Sequence, residues 1–351
     1  MTRRLPWRAL RSSAIAFLAS CAAFEPCTAG SGQAAEAVGV PATMKAVAFS
    51  RYGDSSVLQY SDLPVPKPGA GEVLVRIHAA SVNPVDWKRR AGSYGTGTLR
   101  APVIPGFDVS GSIVAVGSGV TGFKLTDHVY GVVTLGKSGG YAQYAVAPAG
   151  QLALKPPALD DIHAAAVPLA ALTAWQALFD AANLQPGQTV LIHGGAGGVG
   201  HFAVQLARAR GAHVIATASA KNLPFLRELG ADQVIDYRTR NFDQILKDVD
   251  VVFDTVGGET LRRSYGIVRT GGYLVEAVDD VDPRELAAHG IRGSHIVVKP
   301  DGRDLAGISR LIAAGKVHPY VSRTFTLDQA AEAEDLSASG HAKGKIVLSV
   351  P

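Results

Sequence analysis

The sequence predicts an α/β fold in which a doubly wound parallel sheet is inserted into a mostly β domain. Three observations carry that expectation. From about Pro168, helical stretches alternate with short apolar runs: TVLI, HVIATA, QVIDY, VDVVFDTVG, GGYLVEA and HIVVK. Such alternation marks βα units on a parallel sheet. Between Met44 and Ala149 the text differs: β-branched runs such as EVLVRIHAASVN, SGSIVAVGSGV and DHVYGVV are ended by Gly and Pro. After Val317 strand-like text returns as YVSRTFTL and KGKIVLSV, around one helix beginning near Asp328. The expected division is therefore residues 44–165 completed by 318–351 for the mostly β domain, and residues 166–317 for the βα domain.

Residues 1–43 stand apart. A basic start is followed by a short apolar core from Ala14 to Ala23 and then a small-residue region, the layout of an export signal. The core is too short to span a membrane stably. Arg3 and Arg4 point to twin-arginine export. LASC, ending at Cys21, resembles a lipoprotein box that would leave a lipid anchor, while Ala35 and Ala37 offer an A-x-A cleavage site. The sequence leaves both open. A start at Met44, with the protein remaining in the cytoplasm, is the alternative to export.

With 351 residues, 47 % hydrophobic and 18 % charged, the chain is long and apolar enough for two packed domains. Its net charge of +4 is scattered rather than striped, which argues against a nucleic-acid partner. Both cysteines, Cys21 and Cys27, lie in the leader, so the remainder has neither thiolate nucleophile nor Cys-held structural zinc. His128, His163, His193, His201 and His213 show no metal-ligand spacing and are expected to be structural or surface residues.

The βα region opens on HGGAGGVGHFAVQLARARG, residues 193–211. Gly195, Gly197 and Gly200 satisfy G-x-G-x-x-G after an expected strand at 190–193 and before an expected helix at 199–210, the context of a Rossmann dinucleotide site. Gly198 and Val199 complete the turn. There the backbone can approach a pyrophosphate, and the helix N-terminus supplies amide donors. At the tip of the second strand, where an acidic residue would hold a ribose 2′-hydroxyl, the text reads ATASAKN. Ser219 and Lys221 are instead suited to a 2′-phosphate, which favours NADP(H). Residues 131–138, GVVTLGKS, match a P-loop formally, and GKSGG matches G-x-S-x-G. Neither is followed by the helix its chemistry needs, and both are read as coincidences.

SVNPVDWKRRAGSY, PGFDVSGSIVAVGSGV, HGGAGGVGHFAVQLAR and GKIVLSV together resemble the medium-chain dehydrogenase/reductases, in the zinc-free quinone oxidoreductase (zeta-crystallin-like) and enone reductase branch. The resemblance runs from Met44 to Pro351 and implies a GroES-like catalytic domain around the Rossmann domain. Asn83 stands where zinc-dependent relatives carry Cys, and Phe107 and Asp108 where they carry His-Glu. It further implies that Asn83 and Tyr94 lie beside the nicotinamide, with Tyr94 donating to the substrate oxygen or packing under the cofactor. Thr173, Tyr237, Val256, Val278 and Lys345 would complete the cofactor site, and Asp86 and Arg90 would pair to hold their loop. The implied activity is NADPH-dependent hydride transfer to a quinone or an enone/alkenal without a metal, in a homodimer. Zinc-free aldehyde or ketone reduction, and NADPH binding with little turnover, are the alternatives.

Overall fold

A computed structural model describes residues 39–93, 99–133 and 138–351. The leader through residue 38, with Cys21, lies outside the described residues, as do Tyr94 and positions 134–137 of the P-loop look-alike. The first half of the chain supplies β1 (Thr43–Ala48), β2 (Gln59–Pro64), β3 (Glu72–Val82), α1 (Pro84–Arg90), β4 (Asp108–Val116) and β5 (His128–Val132). β6 (Tyr144–Pro148), β7 (Leu152–Leu154), α2 (Asp161–Ala165) and α3 (Pro168–Trp175) follow. The alternating region comprises β8 (Thr189–Ile192), α4 (Gly200–Arg210), β9 (His213–Ala218), α5 (Leu223–Glu228), β10 (Gln233–Asp236) and α6 (Phe242–Ile245). It continues through β11 (Val249–Asp254), α7 (Glu259–Ser264), β12 (Val268–Glu276), α8 (Pro283–Ala288), β13 (Arg292–His295) and α9 (Gly302–Ala313). The chain closes with β14 (Val321–Thr326), α10 (Ala330–Ala338) and β15 (Lys345–Ser349).

Strands β8 to β13 form one parallel sheet in the order β10-β9-β8-β11-β12-β13. Successive side chains of a strand point to opposite faces, and a parallel sheet buries both. β8 shows this directly. Val190 and Ile192 join a core with Phe202, Leu206 and Leu178, whereas Leu191 joins the opposite core with Phe242 and Leu261. The strand order reverses between β8 and β11, so a crevice opens beyond their C-terminal ends.

The second sheet runs β14-β15-β3-β4-β5-β7, with β6 also paired to β3. Strands from both ends of the chain therefore share one sheet. β15 pairs antiparallel with β3 and sets Ile346 opposite Val82, so Lys345 arrives beside Asn83. No described helix is long and apolar enough to cross a membrane.

One expected strand is displaced. HIVVK was expected to be the sixth parallel strand, but β13 is Arg292–His295 and only its last residue comes from that run. β12 ends at Glu276, opposite His295, and turns toward the crevice, leaving Ile296–Val298 no strand to pair with. Ile296 and Val298 pack on the core from irregular backbone instead, and Val297 is exposed. Ser138 of the P-loop look-alike exchanges hydrogen bonds with the backbone of Val146, and strand β6 rather than a helix follows.

Candidate active site and cofactor crevice

The glycine turn lies at the reversal point, between β8 and α4. The left-handed residue is Gly194 (φ +67), one position before the motif; a Cβ there would fall 2.5 Å from Thr255 Oγ1. At Gly195 a Cβ would meet Ala216 and Leu226 side chains at 3.1 Å, and at Gly200 it would fall 2.2 Å from the Gly194 carbonyl oxygen. The first and last motif glycines thus let turn and helix pack, while a Cβ at Gly197 or Gly198 would meet its nearest neighbours only at 3.2 Å and 3.4 Å. The amides of Gly198 and Val199 have no acceptor among the described residues. They crown an eleven-residue helix whose far end is closed by left-handed Gly211. His201, in the first turn of α4, lies with Nδ1 2.9 Å from the Gly197 carbonyl oxygen and accepts the Tyr320 N–H at Nε2. Burial pushes this imidazole down to about 4, so it pins the turn as a neutral ring.

Ser219 directly follows β9 and is buried, whereas Lys221, two residues on, is exposed. Neither side chain has a hydrogen-bond partner among the described residues. Asp236 of β10 pairs in register with Ala218, which places Tyr237 next to them, more than half exposed. Arg238 lies over the Tyr237 ring at 5.8 Å and adds a cation that the sequence reasoning missed. Its adjacency to Tyr237 in the text YRTR was the available signal. This corner suits an adenosine ribose bearing a 2′-phosphate. Replacing Ser219 and Lys221 together by alanine is expected to raise the Kd for NADPH about 10- to 100-fold and leave NADH nearly unchanged, as removing charge-assisted bonds to one phosphate should. Equal losses for the two dinucleotides in a fluorescence titration would contradict the assignment.

Across the turn lies a buried polar floor. Asn83 caps α1 and is 4 % exposed; its Nδ2 donates to Asp108 Oδ2 at 2.8 Å. Its Oδ1 accepts from Lys345 Nζ at 2.5 Å, and the same ammonium donates to the Val82 carbonyl and stands 3.6 Å from Asp108. Asp108 also accepts Ser81 Oγ–H and the Leu169 N–H at the head of α3. Burial lowers Lys345, with the charges of Asp108 and Asp86 acting the other way. The Lys345 side chain passes 3.4 Å from where a Gly198 Cβ would sit, so the floor adjoins the glycine turn. Thr173, on α3, donates its hydroxyl to the Leu169 carbonyl one turn back.

Asp86 and Arg90 do not pair, contrary to expectation. Asp86 reaches back to the Asn83 N–H and accepts the Tyr141 hydroxyl, while Arg90 donates to Glu334 of α10 at 2.6 Å and to the Gly53 carbonyl. Each has a nearer partner: Asp86 caps its own helix, and Arg90 at the other end faces a buried carboxylate.

Val256 and Val278, 51 % and 38 % exposed, stand just past β11 and β12 at the crevice lip, apolar surface suited to a flat ring. His193, directly after β8, lies between the Thr217 and Ser264 hydroxyls and is pushed down to about 3 by burial. Away from the crevice, His78, His128 and Asp161 place three potential ligand atoms within 4.8 Å of one another. They come from β3, β5 and α2, so no sequence spacing reveals them. Lys155 Nζ stands 3.0 Å from Asp161 Oδ1, so this carboxylate already pairs with a cation.

A dinucleotide crevice closed on one side by a catalytic-type β domain defines a class of oxidoreductase, and the comparisons agree. Residues 69–157 match the family described as alcohol dehydrogenase GroES-like domain, and residues 229–348 the family described as zinc-binding dehydrogenase. The chain belongs to the medium-chain dehydrogenase/reductase superfamily. It is 36 % identical to the 2-methylene-furan-3-one reductase of Solanum lycopersicum over 332 residues, 91 % of this chain and 82 % of that protein. It is likewise 36 % identical to the chloroplastic NADPH-dependent alkenal/one oxidoreductase of Arabidopsis thaliana, over 88 % of this chain and 80 % of that one. Among solved structures, the quinone oxidoreductase from Coxiella burnetii superposes with a TM-score of 0.81 at 35 % identity, covering 88 % of this chain and 100 % of the other.

Proposed function

We propose that this protein is an NADPH-dependent oxidoreductase that reduces quinones or α,β-unsaturated carbonyls without a metal. The observation carrying the proposal is one juxtaposition. Open helix-head amides at Gly198 and Val199 sit against a floor whose key position holds an amide, Asn83, clamped by an ammonium and a carboxylate. The relatives named above as alkenal/one oxidoreductase and quinone oxidoreductase support the acceptor class.

The donor set fits the dinucleotide. The amides of Gly198 and Val199 would receive the pyrophosphate. Ser219, Lys221 and Arg238 would grip the 2′-phosphate, and Val256 and Val278 would flank the nicotinamide. When bound, the reduced nicotinamide supplies a hydride. The protein's part is to place the acceptor and stabilise the charge that develops on its oxygen. Asn83 has a second Nδ2–H beyond the one given to Asp108. Lys345, bonded to Oδ1, draws charge from that amide and strengthens the remaining donor. Tyr94, four positions after the end of α1, enters as the second donor to the oxygen. Conjugated acceptors spread the added charge and need no Lewis acid, and Asn83 with Lys345 offers none of the thiolate or imidazole that zinc prefers.

NADPH oxidation with 1,4-benzoquinone, an alkenal and a saturated aldehyde tests this reading. Turnover is expected with the first two, undiminished after dialysis against a chelator. Turnover with the saturated aldehyde alone would replace the proposal by simple carbonyl reduction. Tight NADPH binding without any turnover would replace it by a binding role.

A further inference from the structure

Asp254 and Glu276 end β11 and β12 at paired register positions, and both are fully buried. Asp254 Oδ1 accepts the N–H groups of Val256 at 2.8 Å and Gly257 at 3.3 Å. Glu276 Oε1 accepts those of Val278 at 2.7 Å and Asp279 at 3.3 Å. Each carboxyl group therefore holds, with one oxygen, the loop that follows its own strand. The other oxygens, Asp254 Oδ2 and Glu276 Oε2, are buried, and no N–H or O–H group of the described residues donates to either. Paired register sets the two carboxyl groups side by side, and the charge of Asp254 acts on Glu276. Ionised carboxylates only accept, so a bond between them requires a proton on one.

We propose that Asp254 and Glu276 share a single proton and act as a clasp that positions the loops at 255–258 and 277–279 for the nicotinamide end of the cofactor. The inference deepens the dinucleotide reading above and rests on it. Asp279 completes the joint by accepting the Gly258 N–H at 2.6 Å, and left-handed Gly257 leaves its Oδ2 room. The same loops carry Val256 and Val278, and Thr255 abuts the glycine turn.

Among the described residues, the groups facing the clasp supply no compensating cation. Asp279 adds like charge, Tyr265 and Asp282 lie on the α7 and α8 side, and His193 directly after β8 is held neutral by burial. His295, opposite Glu276 on β13, lies with Nδ1 2.8 Å from the Asp279 carbonyl oxygen, and Arg263 of α7 is paired with Asp243. Burial first, and then the Asp254 charge, push Glu276 up to about 8. The folded protein thus keeps a proton that the unfolded chain releases near 4.5, the ordinary glutamate value. The pair's contribution to stability falls as pH rises between those values, and in the folded protein the clasp opens near the upper one.

Titrating the protein with NADPH from about pH 7 to about pH 9.5 tests the clasp. The Kd of the wild type should climb above the break by up to about tenfold per pH unit. Glu276→Gln keeps the carbonyl that holds Val278 and supplies an N–H to Asp254, so its Kd should stay flat. Asp254→Asn should behave the same way and serves if the first variant fails to fold. A flat wild-type profile, or the same climb in the variants, overturns the clasp. Urea unfolding of the cofactor-free protein separates the two readings. If NADPH fails to bind any of these proteins, the dinucleotide reading falls, and the positioning role with it. Proton sharing is still decided, because the stability of the wild type relative to Glu276→Gln should fall as pH rises from about 5 to about 8, the buried His193 and His201 contributing equally to both.

Discussion

Gly200→Ala is expected to abolish dinucleotide binding and to cost the fold about 2–3 kcal/mol, the range for forced overpacking. The added Cβ would fall 2.2 Å from the Gly194 carbonyl oxygen and 2.7 Å from Gly195 Cα. Both are backbone atoms, so no side chain can swing aside; the turn or the head of α4 must move. Either movement displaces the amides of Gly198 and Val199 that are assigned to the pyrophosphate. Fluorescence titration with NADPH should show affinity falling by about a hundredfold or more, the scale of losing several charge-assisted bonds at once. Gly150→Ala is the control, since a Cβ there meets nothing within 4 Å. If Gly200→Ala binds NADPH as the wild type does, the turn is not the phosphate seat.

Arg90→Met carries the largest expected stability loss, about 3–5 kcal/mol, because it strands the Glu334 carboxylate. The two side chains are 5 % and 0 % exposed, and the guanidinium also closes on the Gly53 carbonyl. Burial already holds Glu334 above its usual value against the pull of Arg90. Without the guanidinium it moves further up, so the loss is greatest near neutral pH and shrinks as acid protonates the carboxyl group. Urea unfolding near pH 7 and near pH 5 measures both effects. The double replacement Arg90→Met with Glu334→Leu should recover most of the loss, as well-packed apolar pairs do. Arg90 ends α1 and Asn83 begins it, so kcat with the quinone should fall in the single variant and return in the double one.

Most of the architecture was legible because the signals that encode it are local. The period of apolar residues, the glycine turn between strand and helix, and the turn residues of the β region each act over a few positions. Hence β8, β9, β14 and β15 fall within a residue or two of their expected runs, β11 stops three residues short of its run, and α4 begins one residue late. HIVVK misled because a short apolar run is compatible with a strand or with packed irregular backbone, and only the end of β12 decides which. Of the corner proposed for the 2′-phosphate, Ser219 and Lys221 follow a recognisable strand tip, whereas Arg238 arrives through the pairing of β10 with β9.

The sequence by itself determined the class of fold and the glycine turn between strand and helix, because these depend on neighbours along the chain. The tertiary structure alone decided which charges meet. Lys345 reaches Asn83 across 262 positions because β15 pairs with β3. Arg90 chooses Glu334 over Asp86, and Asp254 faces Glu276, because strand register and helix packing bring those groups together in places water does not reach. Buried charges select partners by geometry and desolvation, and neither is written in sequence distance.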